Sequence, residues 1–374
     1  MELPQDFKER MKSQLGESYG DFLACFEKER VYGLRYNPLK IEKEKLASLL
    51  AAYHISLEPV GWAQEGFYYP SDAQPGKLPL HEAGAYYIQE PSAMRVVELL
   101  DPRPGEKVLD LCAAPGGKST QIAGRLRGRG LLVSNEIVPE RAKILSRNME
   151  RIGAVNAVVL NETPERLAER FPAFFDRIAV DAPCSGEGMF RKDIEARGEW
   201  SSAQVEICAK RQRDILSQAV KMLRPGGILV YSTCTFAPME NEDMINWLLK
   251  EYPQFTLEQS EQIWPRVQRG EGHFAARLCM DADRSAAYER ISGIDTTAQS
   301  YTDAGRSVSK SRIGRSKERI DKKKYSTREM QQAVEEFCRE TLSQERYEQI
   351  EAQMKAGSLE LFGDQLYLKP AGIS

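Results

Sequence analysis

Apolar positions along the chain follow two rhythms. From Lys107 onward, short continuous apolar runs alternate with stretches whose apolar residues recur every three or four positions. The runs at 107–111, 131–135, 155–160, 176–181 and 226–232 read as strands. The stretches at 118–127, 138–152, 163–170 and 203–223 read as helices between them. Unbroken apolar strands separated by helices describe a parallel sheet covered on both faces. A further helix follows at 239–252 and a late strand at 272–280.

The front of the chain reads differently. Phe7, Met11, Leu15, Phe22, Leu23, Cys25 and Phe26 recur at roughly helical spacing within residues 1–30. A short strand at 31–35 is closed by Asn37-Pro38, and 41–53 is an amphipathic helix with Leu46, Leu49 and Leu50 on one face. Short strands and turns alternate over 57–69, and a helix covers 93–100 before Pro102 and Pro104. Residues 1–100 thus form a small α+β module, and 101–281 the main α/β domain. Apolar density then falls. Residues 282–328, with Lys310, Arg312, Arg315, Lys317 and Lys322-Lys323-Lys324, read as a basic flexible linker. Residues 329–374 are a C-terminal helical segment followed by strand-like text at 359–368.

Composition narrows the class only slightly. Lys and Arg number 52 against 55 Asp and Glu, a net charge of −3, so global charge does not announce nucleic acid. No run of about 18 apolar residues occurs, so no membrane span or membrane partner is expected. The start, Met1-Glu2-Leu3-Pro4-Gln5-Asp6, lacks the layout of a secretory signal, and a cytoplasmic monomer is the simplest expectation. Seven cysteines include no CxxC pair, and His54, His81 and His273 are scattered, so no zinc ligand set is present and no metal is expected.

Chemistry concentrates at strand ends. The first strand runs into Asp110-Leu111-Cys112-Ala113-Ala114-Pro115-Gly116-Gly117-Lys118-Ser119-Thr120, a small-residue turn opening a helix. In open α/β sheets ligands bind there, outside the carboxyl ends of the strands. Glu136 closes the second strand, where an acidic residue can bind ribose hydroxyls. The turn lacks GxGxxG, which disfavours a dinucleotide. S-adenosylmethionine suits the arrangement, having a ribose but no phosphates.

Asp181-Ala182-Pro183-Cys184-Ser185-Gly186 follows the fourth strand, and Ser232-Thr233-Cys234-Thr235 the fifth. One cysteine at a strand end is usually a buried thiol. Strands 4 and 5 of such a sheet are neighbours about 4.8 Å apart, so two cysteines and an aspartate converge beside the cofactor turn. A pyrimidine C5 is a poor nucleophile until a thiolate adds to C6. A carboxyl group at N3 aids the addition, and a base must later remove the C5 proton. One cysteine as nucleophile, the other as base or elimination helper, and Asp181 meet those demands.

These motifs resemble the RNA 5-methylcytosine methyltransferases of the Nop/Sun family. The likeness also takes in Arg35-Tyr36-Asn37-Pro38-Leu39-Lys40, Gln89-Glu90-Pro91-Ser92-Ala93-Met94, Glu240-Asn241-Glu242 and Gly272-His273-Phe274-Ala275-Ala276-Arg277-Leu278. It covers about residues 1–280, and Gly186-Glu187-Gly188-Met189-Phe190-Arg191-Lys192-Asp193 is most like the RsmF branch, which modifies 16S rRNA. The resemblance implies a Rossmann-like methyltransferase sheet and an RNA-binding N-terminal module. It makes Cys234 the nucleophile, Cys184 the residue that releases product, and Asp181 a contact to the base and to the methionine end of the cofactor. S-adenosylmethionine would be held by Cys112, Ala113, Ala114, Pro115, Gly116, Gly117 and Lys118 with Glu136 and Arg141. The aspartate the family carries after the third strand is replaced by Asn161-Glu162-Thr163, so Asn161 or Glu162 takes that contact. Lys118 is a loop or phosphate contact rather than a catalytic base. RNA would meet Arg191, Lys192, Lys210, Arg211 and Arg213, and a flipped or unpaired cytosine is required.

The partner implied is rRNA, within the small ribosomal subunit. RsmF-like proteins continue into a PUA-like domain, and 359–368 resembles its beginning, so the chain reads as a truncated member. The rival expectations are a tRNA cytosine-5 methyltransferase, an RNA-binding ribosome-assembly factor with little catalysis, and a nucleotide-dependent oxidoreductase, which the absent GxGxxG disfavours.

Overall fold

The computed structural model describes residues 2–282 and the backbone of 359–362 and 365–368. The chain divides into two compact units, Met1–Ile294 and Asp295–Ser374. In the first unit, α1 (Gln5–Leu15) and α2 (Tyr19–Ala24) precede β1 (Gly33–Tyr36), α3 (Lys43–Ala51), β2 (Glu58–Pro59), β3 (Gly66–Tyr68), α4 (Pro79–Glu82) and β4 (Tyr86–Ile88). The four strands form an antiparallel sheet in the order β2-β3-β1-β4. Its core joins Leu34, Phe67 and Tyr86 to Leu46 and Leu50, the buried stripe of α3.

Helix α5 (Pro91–Leu100) leads into the main sheet. Glu90 caps it by accepting from the Ser92 and Ala93 amides, and Pro91 sits where a helix needs no N–H. Then come β5 (Lys107–Asp110), α6 (Gly117–Leu126), β6 (Leu131–Asn135), α7 (Pro139–Ile152), β7 (Ala157–Leu160), α8 (Pro164–Arg170) and β8 (Phe175–Asp181). Helices α9 (Ala196–Glu199) and α10 (Ser202–Met222) precede β9 (Leu223–Thr233), α11 (Glu242–Glu251), β10 (Phe255–Ile263) and β11 (His273–Met280). The strand order is β10-β11-β9-β8-β5-β6-β7, parallel from β9 to β7 with an antiparallel edge at β11 and β10. This is the Rossmann-like sheet expected. Leu109, Ile178 and Leu229 are fully buried in it, with apolar layers on both faces.

Two strands were not anticipated. β10 reads Phe-Thr-Leu-Glu-Gln-Ser-Glu-Gln-Ile, too polar for a buried strand, because it is the sheet's outer edge and only one side pairs. β4 is three residues long and shows no periodicity. Helices α1 and α2 pack with Phe190, Trp200 and Phe236 of the main domain rather than in the core of the four-stranded sheet. Among the described residues no helix is long and apolar enough to cross a membrane. The expected linker and the helical stretch at 329–355 lie outside the described residues. In the second unit, β12 (Leu359–Phe362) and β13 (Gln365–Leu368) pair antiparallel.

Candidate active site

Register determines what meets at the carboxyl edge of the sheet. Asp110 of β5 pairs with Ala179, Asp181 of β8 with Ser232, and Thr233 of β9 with Phe274. The ends of three parallel strands and the start of β11 therefore share one edge. A cavity of about 380 Å³ opens there. Ala113, Ala114, Pro115, Gly117, Lys118, Asp181, Cys234 and His273 line its floor, and residues of the N-terminal module line its outer wall.

Cys184 and Cys234 meet, but of the two only Cys234 lines the cavity. Their sulfurs lie 3.3 Å apart, and the Cys184 sulfur also accepts from the Cys234 amide at 3.3 Å. The hydrogen bond to Cys234, then burial, pushes the Cys184 thiol well above its ordinary range, so Cys184 keeps its proton. Glu240 holds the loop that carries Cys184. Its carboxylate accepts from the Ser185 amide at 3.0 Å and from the Ser185 hydroxyl, and from Gln212 at 2.8 Å. The loop passes so close to β9 that the Gly188 amide donates to the Cys234 carbonyl at 2.8 Å. A Cβ on Gly188 would stand 2.6 Å from the Gly272 carbonyl, so no larger residue fits.

Asp181 sits in an ion pair. Its Oδ2 is 2.5 Å from Lys118 Nζ, and its Oδ1 accepts from Ser232 Oγ at 2.8 Å. His273 Nε2 lies 3.5 Å from the same Oδ1. Burial raises the Asp181 carboxyl, but Lys118 and His273 outweigh burial and hold it below the usual carboxylate range. Asp181 is therefore an acceptor, and the proton donor of the pair is Lys118. The sequence assigned Lys118 only to the cofactor loop and attached no role to His273 or Glu240. Spacing could not reveal these contacts, because each crosses between elements distant in sequence.

The cofactor residues divide into two groups. Ala113, Ala114, Pro115, Gly117, Lys118 and Asp181 face the cavity; Cys112, Gly116, Glu136, Arg141 and Asn161 do not line it. The second group frames the turn from the β6 side. Glu136 is 3% exposed, not a solvated carboxylate, and accepts from the Val138 amide at 2.9 Å. Arg141 donates to the Ala114 carbonyl at 2.9 Å and lies 3.4 Å from Glu136. Asn161 donates to the Glu136 and Ile137 carbonyls at 2.6 and 3.0 Å, so its amide braces that loop. Glu162 pairs with Arg166 at 2.8 Å. Burial raises the Cys112 thiol far above its ordinary range, which leaves it a packing residue. Asp110 accepts from Ser119 at 2.6 Å with Oδ2, whereas its buried Oδ1 has no partner. Burial pushes Asp110 up to about 6. The sequence missed it as a site residue although it heads the turn.

Arg191 departs from the expected RNA contacts. It donates to the Glu29 carbonyl at 2.6 Å and lies 3.3 Å from Glu271, with a side chain 6% exposed. Lys192, Lys210, Arg211 and Arg213 are exposed.

A parallel sheet with paired cysteines and an aspartate–lysine pair at its carboxyl edge defines a Rossmann-like methyltransferase-class protein. Residues 97–279 match the family described as 16S rRNA methyltransferase RsmB/F, and residues 3–91 the N-terminal domain of 16S rRNA methyltransferase RsmF. The chain belongs to this family, as an RsmF-like Nop/Sun member. It is 37% identical over 302 residues to ribosomal RNA small subunit methyltransferase F of Klebsiella pneumoniae, covering 74% of this chain and 63% of that protein. It is 37% identical over 295 residues to the Escherichia coli O139:H28 protein of the same name, covering 72% of this chain and 61% of that one. The chain thus spans about three-fifths of the length of these relatives. A solved methyltransferase homolog from Pyrococcus horikoshii is 29% identical with a TM-score of 0.67, over 74% of this chain and 95% of that one.

Proposed function

We propose that this protein methylates C5 of a cytosine in small-subunit rRNA, using S-adenosylmethionine and a covalent bond from Cys234 to C6. The observation that carries the reading is the 3.3 Å approach of Cys234 to Cys184 beside the Asp181–Lys118 pair. The cofactor fits the residues present. The buried Asp110 Oδ1 is an orphaned acceptor at the head of the turn, the buried Glu136 carboxylate lies at the end of the neighbouring strand, and Ala113, Ala114, Pro115, Gly117 and Lys118 line the cavity floor. When bound, the cofactor supplies an electrophilic methyl group.

The chain's own residues do the rest. Cys234 Sγ adds to C6, and the C5=C6 electron pair moves onto C5. Asp181 accepts from the exocyclic amino group, and Lys118 donates to the ring. After C5 is methylated, its proton passes to a solvent base, since Cys184 keeps its own; the C–H pair restores C5=C6, and the Cys234 thiolate departs. Cys184 keeps a proton to share with that sulfur, both as it attacks and as it leaves. The reading makes residues 1–100 an RNA-binding module and 101–281 the catalytic domain. It also makes the protein a cytoplasmic monomer acting on rRNA.

The test is incubation with methyl-labelled S-adenosylmethionine and 16S rRNA, 30S subunits or tRNA, followed by digestion and identification of the labelled nucleoside. Labelled 5-methylcytidine from small-subunit RNA is expected. Label in tRNA alone transfers the activity to the rival substrate, and no label in any RNA overturns the reading.

A further inference from the structure

The catalytic cavity does not end at the cysteines. Its outer wall is built by the N-terminal module, where Tyr32 and Tyr69 face the same cavity as Cys234. Both rings are partly exposed. Tyr32 precedes β1 and Tyr69 follows β3, and the Tyr69 amide donates to the Tyr32 carbonyl at 3.3 Å, which ties the two strand ends together. The ring centroids are 5.7 Å apart with planes tilted 48° to one another, and the Arg30 guanidinium lies over the Tyr32 ring, 4.5 Å from its centroid. Burial raises the Tyr69 phenol, so its ring stays neutral.

Besides Asp181, two carboxylates line this cavity, Glu90 and Glu271. Neither confronts a ligand with an unengaged charge. Glu90 accepts from the Ser92, Ala93 and Glu271 amides, and Glu271 accepts from the Val31 amide and lies 3.3 Å from Arg191. The exposed cations at the rim are Arg30 and Lys192.

The geometry points to a second base subsite: an unpaired RNA base flanking the target cytosine stacks on the Tyr32–Tyr69 platform while Arg30 and Lys192 meet its phosphates. The inference rests on the RNA-methylation reading. A base drawn out of its stack to reach Cys234 leaves its neighbours unstacked, and an aromatic wall in the same cavity returns that stacking. Base–aromatic stacking tolerates any base because every base has a π-face. The subsite therefore contributes affinity and placement of the strand, whereas choice of the reacting base stays with Asp181 and Lys118.

The experiment is fluorescence anisotropy of the full chain with a short labelled single-stranded RNA containing one central cytosine, and with the same RNA made abasic at both flanking positions. Tyr32→Ala and Tyr69→Ala are each expected to weaken binding of the intact RNA roughly tenfold, as loss of one base–aromatic stack does. Tyr32→Phe and Tyr69→Phe keep the ring and bind as the parent does. The abasic RNA binds the parent more weakly and no longer distinguishes it from the alanine variants. Circular dichroism checks that each variant folds. If an alanine variant does not fold, the parent's preference for intact over abasic RNA decides alone. Equal binding of intact and abasic RNA by the parent, or losses in protein and RNA that simply add, overturn the platform. If the parent binds neither RNA, the RNA-methylation reading falls with it; if it binds both equally, only the platform falls.

Discussion

At the scale of single residues, the two cysteines differ through their surroundings. Cys234 lines the cavity, whereas Cys184 stands behind it with its sulfur 3.3 Å from that of Cys234, so Cys234 suits attack and Cys184 release. Cys234→Ala is expected to abolish both methyl transfer and any covalent protein–RNA species on a denaturing gel. Cys184→Ala is expected to accumulate that species instead; the same behaviour from both variants would reverse the assignment. Asp181 gives a pH prediction. Its folded pKa lies below its unfolded value near ~4. The ion pair thus adds stability at neutral pH that drains away as the pH falls through the acid range. Asp181→Asn should melt below the parent at pH 7, and the gap should narrow toward pH ~3; a gap that stays constant in thermal melts would refute the pairing. The cysteines and Asp181 were legible as site residues because their motifs sit at strand ends. Lys118 as the partner of Asp181, and His273 beside it, were not, since each crosses between strands or helices that only the fold brings together.

At the scale of elements, the carboxyl edge works because of how β9, β11 and the Cys184 loop crowd one another. Gly272, just before β11, has a φ of 120°, and a Cβ there would meet the Phe236 ring at 2.3 Å. Gly272→Ala should therefore cost roughly 2–4 kcal/mol, from backbone strain and displacement of a packed ring. Chemical denaturation reads that loss, and a change under ~1 kcal/mol would contradict it. Arg35 shows how the front module reaches this edge. It donates to the Gly117 carbonyl at 2.6 Å and to Thr120 at 2.8 Å, joining β1 to the first turn of α6. The α/β alternation was readable because buried parallel strands are apolar throughout. β10 was not, because an edge strand with one paired side can be polar.

At the scale of the whole molecule, charge and architecture answer different questions. The net charge of −3 means that any RNA affinity comes from local cations such as Arg30, Lys192, Lys210, Arg211 and Arg213. Neutralising a handful of phosphates should give a log–log salt slope of roughly −2 to −4 for single-stranded RNA. Binding titrations across salt concentrations measure it, and a slope near zero would remove phosphate contacts from the account. The sequence by itself determined the sheet, its strand-end motifs and the resemblance to a methyltransferase family, because periodicity and local turn chemistry are written in neighbouring residues. Only the tertiary structure decided that Asp181 is a paired acceptor, that Arg191 is an internal brace, and that tyrosines of the front module share a cavity with Cys234. Those contacts join residues as far as 162 positions apart, and partners brought in by the fold, not residue type, hold Asp181 charged.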